Sequence, residues 1–298
     1  MSEIQLPSSN GSAQDPISFQ ARAVGNETTG CEFDYESKVW GGHEVKISPT
    51  YLGALRLRYC IEDLKGVNGS VLEVGCGAGG MVKAIKAYRT DLDVYGCDIS
   101  RQAIRAAQEN PRGVTFREGH AYDLPFEDQN FSAVVMFDLL EHLIEPDRAI
   151  AEAWRVLEKK GLFHLFVPCE GGLYTIHGLL TRMGWRAKEK YGGHIQRFKL
   201  KDVYSILNKQ CFDVLRHRWS AHLINQIIDV AYFTGLSLRG KNTSTSVEGY
   251  LETAKPSLIS IGIDALKTAV AVASYYESRI FSWFPGGGGH FAGVKRGK

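Results

Sequence analysis

Apolar runs and helical stripes alternate along most of the chain. Before the first apolar run, Ser48-Pro49 reads as an N-cap with proline at the first helical position. Leu52, Leu55 and Tyr59 then recur at helical spacing, which predicts a helix leading into strand one at about 70–75. Met81, Val82 and Ile85 give the next helix a buried stripe, and a second strand is predicted at about 93–98. Ser100 caps a helix that ends near Asn110-Pro111. Short strands follow near 114–117 and 131–137. A helix is predicted over about 146–159, with Ile150, Trp154 and Leu157 on one face and Gly161 as its stop, and strand five is Leu162–Val167. A loop from 169 to 198 leads to a helix at 200–208 and strand six at Phe212–Trp219. This alternation predicts a doubly wound, parallel α/β sheet.

The segment between strands one and two carries the first chemistry. Val71-Leu-Glu-Val-Gly-Cys-Gly-Ala-Gly-Gly80 is an apolar strand closing on glycines, and Asp98 ends the second strand. The glycines permit a tight turn and close approach of the backbone to a ligand. The turn opens onto a helix N-terminus, where free N–H groups favour an anion. An acid about twenty residues on suits the two hydroxyls of a ribose. The chain is therefore predicted to bind a nucleoside-containing cofactor. Gly75, Gly77 and Gly80 satisfy the dinucleotide pattern G-x-G-x-x-G, while Glu73, Gly75, Gly77 and Gly79 satisfy E-x-G-x-G-x-G.

The second pattern resembles motif I of class I S-adenosylmethionine (SAM) methyltransferases. Three further segments carry the resemblance over about residues 35–220. They are Phe116–Phe126 before strand four, Asn130–His142 across strand four and its helix start, and Arg155–Gly161 before strand five. The resemblance implies a Rossmann-like seven-stranded sheet. His290–Arg296 resembles the family's last strand, which runs antiparallel beside strand six. It also implies SAM as cofactor. Glu73, Gly75, Cys76, Gly77 and Gly79 would approach its methionine part, Asp98 the ribose, and Ile99 the adenine. His120-Ala121 stands where many relatives have Asp-Ala, so the adenine contact departs from the family pattern. Phe137 and Asp138 end strand four, where relatives touch the methionine portion.

Acceptor chemistry is less specified. A methyl sulfonium needs in-line positioning and exclusion of water, and only a hydroxyl or carbon acid needs a base. Two candidate bases are His142 and His194. Asp138, Glu141 and His142 resemble the E-x-x-E-H pattern of magnesium-dependent O-methyltransferases, but Glu-His at this helix start also occurs in relatives without metal. Arg197 suits an acceptor carboxylate or phosphate, and Tyr35 and Trp40 are candidates for a lid over the site.

Composition bounds the remaining picture. The chain has 298 residues, 44% hydrophobic and 23% charged, with net charge +2. That is enough for one large domain, and no polyanion signal points to nucleic acid. Six scattered cysteines without a C-x-x-C pair predict reduced thiols and a cytoplasmic protein, and the N-terminus shows no apolar signal segment. Residues 1–30, rich in Ser, Asn, Gln and Gly, are predicted to be a disordered tail, with the domain over 31–298.

One departure stands out. About sixty-five residues, 222–287, separate strand six from the last strand, where the family usually has a short connection. They hold two apolar stretches, 223–238 and 256–284, around a polar linker at 240–246. Asp264 and Lys267 interrupt the second, which argues against a membrane span. The open readings are a helical cap, an in-plane membrane helix, or a hydrophobic acceptor channel. The leading expectation is methyl transfer to a small-molecule or lipid-like acceptor, with 222–284 meeting a membrane surface. The alternatives are a non-catalytic SAM-fold partner protein and a nicotinamide-dependent oxidoreductase.

Overall fold

The computed structural model describes residues 24–25, 32–33, 39–51, 53–239 and 258–297. Tyr35, the linker 240–246 and the tail 1–30, apart from Val24–Gly25, lie outside the described residues. The short strands Val24–Gly25 and Glu32–Phe33 pair antiparallel.

The main sheet has seven strands: β1 Ser70–Val74, β2 Asp93–Asp98, β3 Val114–Glu118, β4 Phe131–Phe137, β5 Leu157–Pro168, β6 Phe212–Ser220 and β7 Gly288–Lys295. Their spatial order is β3-β2-β1-β4-β5-β7-β6. β1 to β5 are parallel, and β7 enters antiparallel between β5 and β6. The last strand therefore pairs with two neighbours rather than forming an edge beside β6.

Side chains alternate across the sheet, so each strand feeds two cores. Val71, Ala133, Val135 and Phe137 face a core closed by Leu57 of α1 (Ala54–Asp63), Ile85 of α2 (Gly80–Tyr88) and Ile104 of α3 (Arg101–Glu109). Leu72, Val74, Val134 and Met136 face the opposite core with Ile150 of α4 (Pro146–Val156) and Leu207 of α7 (Leu200–Lys209). Each fully buried Val, Leu, Ile or Phe contributes about 1.5–3 kcal/mol, so both layers are needed.

Three expected boundaries move. α1 starts at Ala54 rather than after Ser48, because Gly53 is a poor helix interior residue and serves as its N-cap. Ser48 instead closes a turn, its carbonyl accepting from the Tyr51 N–H at 3.0 Å. α4 ends at Val156, not 159, and Leu157 already pairs with Phe131. The Arg155 and Val156 carbonyls accept from the Gln129 and Asn130 N–H groups (3.0 and 2.8 Å), which peels the chain into the sheet. The predicted loop 169–198 contains two helices, α5 (Ile176–Arg182) and α6 (Ala187–Gly192). Thr175 caps α5 by accepting from the Gly178 N–H at 3.0 Å, and Gly193 in the left-handed region ends α6.

Arg155 ties the loop before β4 to α4. It donates to Glu152 and Asp128 and to the carbonyls of Phe126 and Leu124, while Glu152 also accepts from the Leu124 N–H. Removing one donor group orphans two carbonyls and two carboxylates. Arg155→Ala is expected to cost about 2–3 kcal/mol of stability, read by urea unfolding; a change below about 0.5 kcal/mol would mean that water replaces the guanidinium at no cost.

The long connection before β7 forms α8 (Leu223–Arg239) and α9 (Leu258–Ile280). α8 packs on α5 and α6, and α9 packs on α8 and β6. Among the described residues, no helix is long and apolar enough to cross a membrane.

Candidate active site

The glycine turn after β1 is held by backbone bonds on both sides. The Gly75 and Cys76 N–H groups donate to the Cys97 carbonyl at 2.8 and 3.1 Å. Gly77 has φ +52°, and a Cβ there would sit 2.4 Å from the Trp40 carbonyl oxygen. Gly79 has φ +86°, with its Cβ position 2.7 Å from the Phe116 ring. These two positions require glycine on both conformation and space. Residues 40 and 41 lie along the turn, where their carbonyls accept from the Ala78 and Gly80 N–H groups at 2.8 and 2.7 Å. Trp40 thus touches the loop through its backbone.

Asp98 is the second anchor. Its carboxylate accepts from the Gly77 N–H at 2.7 Å and the Ser100 N–H at 2.9 Å. A carboxylate has about four acceptor positions, so capacity remains for a ligand. Ile99 beside it is 38% exposed, leaving an apolar face open. Glu73 is buried, and its Oε2 has no hydrogen-bond partner among the described residues. Burial, with Asp98 and Asp138 nearby, holds its carboxyl well above the usual carboxylate range.

His120 closes a local turn. Its Nδ1 accepts from the Tyr122 N–H at 3.0 Å, and burial lowers its pKa, keeping the ring neutral. Ala121 behind it is buried. Phe137 is buried against His164, with ring centroids 5.4 Å apart. Asp138 follows with φ +46° and pairs with Arg56 of α1 at 3.1 Å. This left-handed aspartate stores strain at the end of the central strand.

On the acceptor side, the structure brings His142 and His194 together from 52 residues apart. Their ring centroids lie 5.0 Å apart, edge to face. His142 Nδ1 bonds the Gly193 carbonyl at 3.0 Å. Burial and the neighbouring His194 push the His142 pKa down to about 3, so this ring stays neutral. Glu141 is fully buried, with no hydrogen bond to its carboxylate among the described residues, and burial raises its pKa well above normal. Ligand atoms of Glu141, His142 and His194 lie within 4.8 Å of one another. The set that converges is thus Glu141, His142 and His194; Asp138, from the sequence triad, is engaged by Arg56.

Next to His194 lies a charged network that the sequence did not reveal. Lys188 is bonded to Glu170 and to Asp229, His177 Nε2 lies 2.9 Å from Asp229, and His194 Nδ1 lies 3.6 Å from Glu170. Asp229 is the one acid in the apolar run Leu223–Leu238, and a lone acid in such a helix signals a buried partner. Arg197 is held by Glu189, and both line a small cleft with His194 and Lys188. A second cleft lies between α1 and the α8–α9 pair, lined by Arg56, Phe166, Ser220, Asn225, Ser274 and Ser278. Arg56 links it to Asp138.

The glycine turn and Asp98 lie at the C-terminal edge of a sheet ordered 3-2-1-4-5-7-6. A methyltransferase-domain family matches residues 72–165. That domain family and the structural neighbours with this fold are class I SAM-dependent methyltransferases. A sterol 24-C-methyltransferase of Gibberella zeae is 29% identical over 49% of this chain and 40% of its own length. A ubiquinone biosynthesis O-methyltransferase of Alkalilimnicola ehrlichii is 27% identical over 49% of this chain and 62% of its own. Ajmaline N-methyltransferase of Rauvolfia serpentina is 31% identical over 61% and 66%. The chain thus spans 40% to 66% of these relatives' lengths. A putative sarcosine dimethylglycine methyltransferase of Galdieria sulphuraria has the same fold, with TM-score 0.54 at 17% identity over 87% of this chain and 96% of that one.

Proposed function

We propose that this chain transfers a methyl group from SAM to a small-molecule or lipid-like acceptor. The observation that carries the reading is the Gly77–Asp98 bond beside the buried, unpartnered Glu73. That arrangement leaves Asp98 with acceptor capacity for ribose hydroxyls and Ile99 with a face for adenine. SAM supplies an electrophilic methyl group when bound. The chain's own residues then orient the acceptor and keep water away.

The relatives named above are a sterol C-methyltransferase, an O-methyltransferase of ubiquinone biosynthesis and an ajmaline N-methyltransferase, so they differ in whether carbon, oxygen or nitrogen is methylated. A lipid-like acceptor is supported by two of those names and by the apolar insertion. His142, neutral and poorly basic, suits orientation rather than proton removal. His194, with Nδ1 3.6 Å from the Glu170 carboxylate, is the candidate base. A divalent cation at Glu141, His142 and His194 is a further option, and two imidazoles with one carboxylate suit zinc-like ions better than magnesium.

The experiment uses methyl-labelled SAM with a lipid extract, followed by phase partition. Label in the organic phase is expected. Label in the aqueous phase alone would overturn the lipid-like acceptor, and SAM binding without transfer would favour a non-catalytic partner. With a hydroxyl acceptor, His194→Ala is expected to lower kcat about 10²–10⁴-fold while SAM affinity stays within about twofold. Equal loss of both would make His194 structural.

A further inference from the structure

The two helices of the insertion are sorted against the usual pattern of a water-facing helix. On α8, Gln226 is buried and Asp229 is bonded to Lys188, whereas Leu223, Ile227 and Leu238 point outward, Leu238 at 84% exposure. On α9, Ser274 and Ser278 are buried, whereas Leu266, Tyr276 and Ile280 are exposed. The inward side also buries Phe233, Leu236 and Tyr275, so the pair is anchored to the domain. The turn after α9 adds Phe281, Phe284 and Trp283, the last 75% exposed. A helix facing water carries its polar residues outside, and an aromatic and aliphatic surface of this extent marks an interaction site.

Charge is sorted the same way. Across 223–238 and 265–280 the charged residues are Asp229, Lys267, Glu277 and Arg279. Both acids turn inward, Asp229 to Lys188 and Glu277 to the Ile224 N–H at 3.1 Å. Both cations remain toward solvent, Arg279 exposed and Lys267 partly so. Among the residues whose side chains are described, that face has aliphatic stripes, clustered Trp, Phe and Tyr, and an exposed Arg279, which complements an anionic lipid surface.

We propose that the outward face of α8 and α9, with the turn 281–284, lies on an anionic lipid bilayer. The helices lie in the interface rather than crossing it. Asn225, Ser274 and Ser278, on their inward side, line the cleft that reaches Arg56. The docking itself needs neither SAM nor acceptor, so its failure leaves the methyl-transfer reading intact.

The test is flotation of the full chain with phosphatidylcholine vesicles, with and without phosphatidylglycerol, alongside sedimentation velocity without lipid. The chain is expected to float with the anionic vesicles and less with neutral ones. Trp283→Ser and Leu266→Asp, at two separate points of the face, are each expected to lower partitioning about tenfold. Unchanged SAM affinity in both variants confirms that they fold. Absence of flotation, or flotation that neither variant weakens, overturns the proposal. So does a lipid-free dimer that these substitutions dissolve, which would assign the face to a second copy of the chain.

Discussion

Lys188→Met is expected to lower the unfolding free energy by about 3 kcal/mol at pH 7. Lys188 bridges Glu170 and Asp229, which come from the end of β5 and from α8. Burial works to raise both carboxylates, but the Lys188 ammonium, with His194 and His177 contributing, holds both below their usual range. Burial works to lower Lys188 itself, and the two acids overcome it. Removing the ammonium leaves two desolvated acids facing one another, and breaking such a pair costs about 3–5 kcal/mol. Asp229 keeps a quarter of its side chain exposed, which sets the lower end of that range.

The pH dependence follows from the direction of the shifts. Acids with depressed folded values contribute stability that is present above their unfolded values, near 4, and is lost as pH falls through the folded ones. In the variant both acids bind protons more readily. The gap between wild type and Lys188→Met is therefore expected to be full at pH 7 and to narrow below about pH 4. Urea unfolding at both pH values measures it. A gap under about 1 kcal/mol at pH 7 would contradict the network's role in tying α8 to the domain.

Asp98→Ala is expected to weaken SAM binding about 10²–10⁴-fold. Hydrogen bonds to a charged group contribute about 1.5–3 kcal/mol each, and two ribose hydroxyls are at stake. The substitution also frees the Gly77 and Ser100 N–H groups, so the glycine turn loses a brace. Asp98→Asn keeps one carbonyl acceptor and is expected to fall between the two. Calorimetry with SAM reads both variants. Unchanged affinity in Asp98→Ala would remove Asp98 from the cofactor site.

Much of the local geometry around the glycine turn was legible because its signals are local. The turn from Glu73 to Gly80 is contiguous, Asp98 follows at the end of the next strand, and Ser100 accepts from the Ala103 N–H as its sequence context predicted. β2 and β4 occupy the spans their apolar runs predicted. The end of α4 was not legible, because the strand-entry pairing of Leu157 with Phe131 overrides a helical stripe. Ser48-Pro49 has a capping sequence, but Gly53 moves the helix start beyond it.

The acceptor side resisted for a different reason: its contacts are remote in sequence. Arg56 meets Asp138, His142 meets His194, and Lys188 meets Asp229 only after the sheet has closed. Lys188 sits in Ala187-Lys-Glu-Lys190, which has the composition of a solvated helix. Nothing local separates it from Lys190, and only the apolar run around Asp229 hinted that a buried cation was needed.

The most direct measurement is paired calorimetric titration of the wild-type chain with SAM and with NADH. Saturable binding of one SAM per chain, with no binding of NADH over the same range, is the result expected of a turn built on Glu73, Gly77 and Asp98. Tight NADH binding with no SAM binding would contradict it and return the chain to the dinucleotide reading of Gly75, Gly77 and Gly80.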